Sequence, residues 1–195
     1  QEQRMVPWEA HAPGYAERPH PRRCRQGRQR QVSHPQHPPS ANAEQLFYAR
    51  VGQVLANLAA RGVENKSLTL FDASVIPDVS ITRYTSHLLG FMQCSPATAV
   101  HALIYIERLT RQHPEIQVTP RSQHRLFLTA ALLAGKYFED ETYRQSAIAY
   151  VGGVDNKDLC RLEDLFITRL DHRLYVTISE YWVFMQVLLG RPIPL

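Results

Sequence analysis

Cysteine is scarce in this chain of 195 residues, with only Cys24, Cys94 and Cys160, which lie far apart. Their odd number and spacing argue against a disulfide framework. Without a Cys-x-x-Cys pair, a structural zinc site is not indicated either, and we expect no bound metal. Unpaired cysteines are typical of reducing compartments. We therefore expect an intracellular protein of the cytoplasm, the nucleus or both.

Long apolar runs are missing as well. No segment approaches the roughly eighteen apolar residues of a membrane-spanning helix, and the N-terminal residues lack the apolar core of a secretory signal. We therefore expect no membrane contact. The sequence begins with Gln1 rather than methionine, which leaves the native start open.

The motifs of common enzyme classes are also absent. The nine glycines form neither a phosphate-binding loop, Gly-x4-Gly-Lys-Ser/Thr, nor a dinucleotide fingerprint, Gly-x-Gly-x-x-Gly. His-Glu-x-x-His and Gly-x-Ser-x-Gly do not occur, which removes the zinc-hydrolase and nucleophile-elbow interpretations. We expect a non-catalytic protein without a cofactor.

Residues 1–40 differ from the rest in composition. They hold seven of the thirteen prolines, seven arginines and only three acidic residues, so the whole formal net charge of +4 lies in this segment. So few aliphatic residues cannot offset the entropy of ordering, which predicts a disordered tail. The remaining chain is electrically balanced and provides one domain's worth of residues.

Beyond the tail, apolar residues recur at a spacing of three and four, which predicts helices. An amphipathic helix is expected over Ala43–Arg61, followed by an extended linker up to residue 79 because Pro77 cannot lie inside a helix. Residues 126–133 are apolar nearly all round, which indicates a central helix. The fold class is all-α, a five-helix bundle around this helix with flanking N- and C-terminal helices. Its start signals are Ser80, Ser95-Pro96, Thr119-Pro120, Asp155 and Ser179, and its stop signals are Gly152-Gly153 and Gly190.

Two charged residues interrupt the apolar pattern. Lys136 lies at the end of the central helix, where a cation complements the helix dipole. Glu163 interrupts the next long helix and has an ordinary interpretation as a solvated residue on the polar face. Neither residue identifies a site by itself. His101 and His124 are interpreted as core or surface histidines rather than ligands.

An ordered set of motifs resembles the cyclin box, and more narrowly the Pho80-like or P/U-type cyclins. The set runs from about Phe71 to Leu189. It comprises Lys136-Tyr-Phe-Glu-Asp140, Val151-Gly-Gly153, Leu159-Cys-Arg-Leu-Glu163, the closing segment Leu170 to Val176, and Tyr181-Trp182. No second box follows residue 176. Composition, helical spacing and the resemblance together divide the chain into the tail 1–40, a helix and linker 41–79, a single box 80–176, and a C-terminal helix and tail 177–195.

The resemblance implies that Lys136 and Glu163 lie side by side on a face that grips a cyclin-dependent kinase. Tyr137, Phe138, Leu162 and Phe166 would add apolar contact or core, and the sequence does not divide these four between the two roles. The implied function is a regulatory subunit that binds and activates the kinase as a heterodimer, directing phosphorylation of protein substrates without adding a catalytic group.

Two alternatives stay open. Cyclin-like folds also occur in transcription factors, and a basic run in the tail would bind nucleic-acid phosphates without reading sequence. That run comprises Arg22, Arg23, Arg25, Arg28 and Arg30. The balanced charge of the folded part argues against it, so nucleic acid is not the expected partner. The second alternative is a scaffold of the same fold that binds a partner without activating any kinase.

Overall fold

The computed structural model describes residues 41–63, 68–140 and 142–191. The predicted tail, residues 1–40, therefore lies outside the described residues. Within the described ranges the chain forms seven α-helices and no strand, which confirms the all-α prediction. The helices are α1 Ala41–Ala59, α2 Ile81–Met92, α3 Pro96–Gln112, α4 Gln123–Phe138, α5 Gln145–Val151, α6 Asn156–Arg169 and α7 Ile178–Leu189.

The central helix is α4. Every residue from Gln123 to Gly135 is buried, although an isolated amphipathic helix would leave one face in water. Helices α1, α2, α3 and α6 all pack against it. The apolar run of the sequence therefore predicted both the helix and its place in the core.

Side-chain caps fix several helix starts. The side-chain oxygen of Ser80 accepts from the Arg83 amide at 3.3 Å, and that of Asp155 accepts from the Lys157 amide at 2.8 Å. At α7 the cap is Thr177 rather than the predicted Ser179, and its hydroxyl accepts from the Glu180 amide at 3.2 Å. These bonds satisfy amides that have no partner inside the helix.

The start of α4 differs from its prediction at Thr119-Pro120. The Thr119 amide donates to Ser122 Oγ at 2.9 Å, and the Ser122 amide donates to the Thr119 carbonyl at 3.1 Å. These bonds close a turn, so the helix begins only at Gln123. At the predicted glycine stops, Gly153 and Gly190 have φ of 70° and 66°, a left-handed conformation that glycine adopts readily.

A non-helical segment, residues 68–80, lies against the N-terminal half of α4. Arg125 donates from its guanidinium to the Leu70 carbonyl at 2.9 Å, and His124 Nε2 donates to the Val79 carbonyl at 2.9 Å. The segment thus obtains hydrogen-bond partners without joining a sheet. The segment is non-helical, as Pro77 requires, but it is not an extended linker, because it folds through turns such as the one closed by the Asp72 amide and the Thr69 carbonyl at 3.1 Å.

The C-terminal helix is held by one partly buried arginine. The Arg108 guanidinium, on α3, makes two bonds to the Glu180 carboxylate, at 2.6 and 3.0 Å. It also donates to the carbonyls of Arg173 and Tyr175 at 2.8 and 2.9 Å. These four bonds fix the α6–α7 connection and the first turn of α7 against α3.

Candidate functional site

The structure brings Lys136 and Glu163 together. Helices α4 and α6 pack against each other, which places the last turn of α4 beside the middle of α6. The distance between Lys136 Nζ and Glu163 Oε1 is 2.5 Å. The exposed fractions of the two side chains are 41% and 19%, so the pair remains open to solvent on one side. The expectation that they lie side by side is therefore met in the structure.

A glutamine that the sequence reasoning missed completes this group. Gln145, at the start of α5, accepts from Lys136 Nζ through Oε1 at 3.0 Å. Its Nε2 donates to the sulfur of Cys160 at 3.4 Å, and Cys160 itself is exposed. Gln145 thus joins α5 to the ends of α4 and α6. A single glutamine on a seven-residue helix has no distinctive spacing, so the sequence held no signal for it.

The four apolar residues grouped with this pair separate into two classes. Tyr137 and Phe138 are 50% and 39% exposed, whereas Leu162 and Phe166 are fully buried. Phe166 packs edge-on against Phe71, with ring centroids 5.7 Å apart. A direct contact role for Leu162 and Phe166 is therefore corrected, because both side chains lie in the core and no partner can reach them in this conformation.

Further aromatic side chains extend the exposed surface beyond Phe138. The buried His101 ring lies against Phe138 with centroids 3.6 Å apart and against Tyr181 at 5.5 Å. Tyr181 contacts Trp182 at 6.0 Å, and Trp182 is 53% exposed. We call Tyr137, Phe138, Tyr181 and Trp182 the aromatic ridge. Burial lowers the pKa of His101 despite a hydrogen bond to the Ala97 carbonyl. The His101 ring that packs against Phe138 and Tyr181 is therefore neutral at neutral pH.

The charge pair contributes little to the fold. Surface ion pairs contribute about 0–1 kcal/mol, because water screens both charges. The Lys136 ammonium has three donors, and in the described part of the chain two of them bond to Gln145 and Glu163. Covering the pair with a partner would remove water and strengthen each interaction. The arrangement is therefore suited to binding a polar backbone.

Metal-binding clusters and membrane-spanning helices are absent from the described residues. Among them, no group of three or more His, Cys, Asp or Glu side chains is placed to hold a metal ion. No helix in that part of the chain is long and apolar enough to cross a membrane. His101 and His124 both lie in the core, in agreement with the sequence interpretation.

Comparison with known proteins decides the family. The cyclin family model matches residues 27–174, more than half of the chain. The chain belongs to the cyclin family. Its relatives include cyclin-U2-2 of Arabidopsis thaliana, 34% identical over 57% of this chain and 49% of the relative. Cyclin-U1-1 of the same plant is 37% identical over 60% and 55% of the two chains, and cyclin-P3-1 of Oryza sativa subsp. japonica is 33% identical over 65% and 57%.

These relatives confirm the resemblance to U- and P-type cyclins. This cyclin spans about half the length of the curated relatives it matches. Lys136, Glu163, Tyr137 and Phe138 fall inside the region that the family model matches, whereas α7, with Tyr181 and Trp182, follows it.

Proposed function

We propose that this chain is a regulatory cyclin that binds and activates a cyclin-dependent protein kinase and so directs phosphorylation of protein substrates. The observation that carries the proposal is the Lys136–Glu163 pair, 2.5 Å apart and partly exposed, in a chain of the cyclin family. The exposed Tyr137 and Phe138 beside it supply apolar area for the same contact.

The binding chemistry follows from the charges. Lys136 would donate to backbone carbonyls of the kinase, and Glu163 would accept from its backbone amides, near the mobile C-helix of the kinase. Charge-assisted hydrogen bonds of this kind are strongest where a partner excludes water. Docking would hold that helix inward, so that the lysine and glutamate of the kinase itself pair around the ATP phosphates. The cyclin supplies binding free energy and no catalytic group.

Charge reversal at Lys136 tests the binding surface. We expect Lys136→Glu to weaken kinase capture by the full chain at least tenfold, because two carboxylates would then face the kinase and each other. The matched control is Lys157→Glu, an exposed lysine in the first turn of α6, where an acidic residue suits the helix dipole. Affinity is measured against a purified kinase, with a kinase assay on the complex.

The double reversal Lys136→Glu with Glu163→Lys separates binding from folding. It restores an ion pair within the cyclin while presenting inverted charges to the partner. We expect native stability and continued loss of binding. Wild-type affinity in the double variant would sink the proposed interface. A complex that forms normally but leaves the kinase inactive would instead identify a non-activating scaffold.

A further inference from the structure

The end of α4 is fastened to the start of α3 through one carboxylate oxygen. Glu139 Oε1 accepts from the Ser95 amide at 2.8 Å and from Ser95 Oγ at 2.9 Å. Thr98 Oγ1 donates to the same oxygen. We call Glu139, Ser95 and Thr98 the Glu139 latch. Glu139 is more than forty positions from both Ser95 and Thr98 in sequence, so the latch is a tertiary contact rather than a local cap.

The latch adjoins the segment that carries the proposed contact residues. Glu139 directly follows Phe138, and its amide closes the last turn of α4 by donating to the Gly135 carbonyl at 3.0 Å. Burial alone would raise the pKa of Glu139, but its hydrogen bonds outweigh burial and lower the pKa below its ordinary value. The latch is therefore made by a charged carboxylate at neutral pH, and it lies directly after Tyr137 and Phe138 in the chain.

Ser95 also has the features of a modification site. It is exposed, its backbone is extended with φ −64° and ψ 154°, and Pro96 follows it. Protein kinases bind substrate serines in extended backbone, and the following proline favours this conformation. The only other Ser-Pro or Thr-Pro pair in the sequence is Thr119-Pro120, and Thr119 is buried. Of the two pairs, the fold thus exposes the serine that lies in the short connection between α2 and α3.

We propose that Ser95 is a phosphorylation site for a proline-directed protein kinase, and that its phosphorylation opens the Glu139 latch. Ser95 Oγ attacks the γ-phosphorus of ATP, and the bond from that phosphorus to the β–γ bridging oxygen breaks. ADP leaves, and the hydroxyl proton passes to the catalytic carboxylate of the kinase. The product is a phosphoserine with a charge near −2 at neutral pH.

The phosphate cannot share the position of the Glu139 carboxylate. Ser95 Oγ loses the hydrogen that it donates to Glu139, and two like charges then lie side by side. The phosphate oxygens accept from the Ser95 amide and Thr98 hydroxyl in place of Glu139. The end of α4 loses its anchor, and Tyr137 and Phe138 lose their fixed position. The effect on partner binding rests on the proposed kinase-binding function, whereas the modification itself does not.

The first experiment tests the modification. The full chain is incubated with ATP and a purified proline-directed kinase, and phosphate is located by mass spectrometry. We expect one phosphate at Ser95, none in Ser95→Ala, and none at the buried Thr119. Absence of phosphate at Ser95 in the folded chain, while a peptide spanning residues 90–101 is readily phosphorylated, overturns the proposal.

The second experiment tests the latch without any partner. We expect the hydrogen-exchange rates of the amides of residues 136–139 to rise roughly tenfold on phosphorylation. A rise of this size corresponds to the loss of one charge-assisted hydrogen bond. In the Glu139→Gln variant the rise in exchange rate should be much smaller, because the neutral side-chain amide can donate to the phosphate. Equal exchange before and after phosphorylation of the native chain overturns the latch.

The third readout is affinity for the kinase that the chain captures. We expect phosphorylation to weaken it roughly tenfold, the scale of one lost contact, and to weaken it less in Glu139→Gln. Unchanged affinity overturns the regulatory effect. If the unmodified chain binds no kinase, the proposed function fails, while phosphate at Ser95 and faster exchange still support the modification and the latch.

Discussion

At the scale of single residues, helical spacing does not separate core from contact. Leu162 and Phe166 follow the same spacing as the core positions of α6 and are fully buried, while Tyr137 and Phe138 end α4 and are exposed. The family resemblance grouped all four, and the sequence could not divide them between contact and core because apolar character alone does not report exposure. The end of a central helix leaves the core, and that position decides the difference.

This division has a direct consequence for stability. We expect Phe166→Ala to lower the free energy of unfolding by about 3–5 kcal/mol, since it leaves a cavity beside Phe71. Tyr137→Ala should change it by less than about 1 kcal/mol and should weaken kinase binding instead. Chemical denaturation and binding titration of both variants check this. A stable Phe166→Ala protein with lost binding would reverse the assignment.

A buried histidine links stability to pH. His124 Nε2 donates to the Val79 carbonyl, its ring packs against Tyr84, and in the described part of the chain its buried Nδ1 has no partner. Burial lowers the pKa of His124 to about 4, against a hydrogen bond that raises it. Between pH 6.5 and 4 the unfolded chain therefore binds a proton that the folded chain does not, and stability falls as pH falls through that window.

We expect the contribution of His124 to make the protein about 2 kcal/mol less stable at pH 5 than at pH 7. His87 and His101, whose pKa values burial also lowers, act in the same direction. His124→Gln should remove the His124 part of the slope while these two remain. Urea unfolding at both pH values measures it. An unchanged slope in the variant would show that His124 is not the titrating group.

At the scale of elements, α1 and α2 approach closely at a glycine. A Cβ on Gly52 would lie 2.4 Å from Thr82 Cα and 2.6 Å from Thr85 Oγ1, so the two helix backbones would have to separate. Alanine is otherwise the better helix residue by about 1 kcal/mol. At this position the packing of α1 against α2 opposes the helix propensity of alanine. Overpacking such a tight contact lowers the free energy of unfolding by about 1–3 kcal/mol.

Gly52→Ala is therefore expected to lower the melting temperature. Gly90→Ala is the matched control, since a Cβ on Gly90 meets no atom within 4 Å on the exposed side of α2. That substitution should stabilise the protein by roughly 0.5–1 kcal/mol. Thermal unfolding of both variants distinguishes the effects, and a stabilised Gly52→Ala protein would show that the helices separate without cost.

The helix pattern was predictable, but several boundaries were not. The predicted Ala43–Arg61 helix is observed as Ala41–Ala59, and α4 begins at Gln123 rather than at Thr119-Pro120. Hydrophobic spacing encodes the buried face of a helix, whereas its first residue depends on which turn or cap forms. The approach of Lys136 to Glu163 came from the family resemblance. Gln145, Ser95 and Glu139 join the surface only through tertiary contacts, which spacing does not encode.

At the scale of the whole molecule, charge and binding surface are separated along the chain. The net charge of +4 lies in residues 1–40, and the remaining residues are balanced. The proposed kinase surface uses one lysine and one glutamate beside exposed aromatic rings, so its affinity should depend weakly on salt. A nucleic-acid function would instead use the five clustered arginines and would lose affinity steeply as salt rises.

A variant of the tail separates kinase binding from nucleic-acid binding. In this variant glutamine replaces the five arginines Arg22, Arg23, Arg25, Arg28 and Arg30. We expect kinase affinity to change by less than about twofold, because the proposed contacts lie in α4 and α6. If five phosphate contacts carried the function, raising salt from 50 to 200 mM would weaken binding of the native chain roughly 10²–10³-fold. Fluorescence titration with kinase and with duplex DNA, at both salt concentrations, measures this. A variant that loses its kinase as well would move the binding surface from the helical domain to the tail, because Lys136, Glu163 and the exposed aromatic residues are unchanged in it.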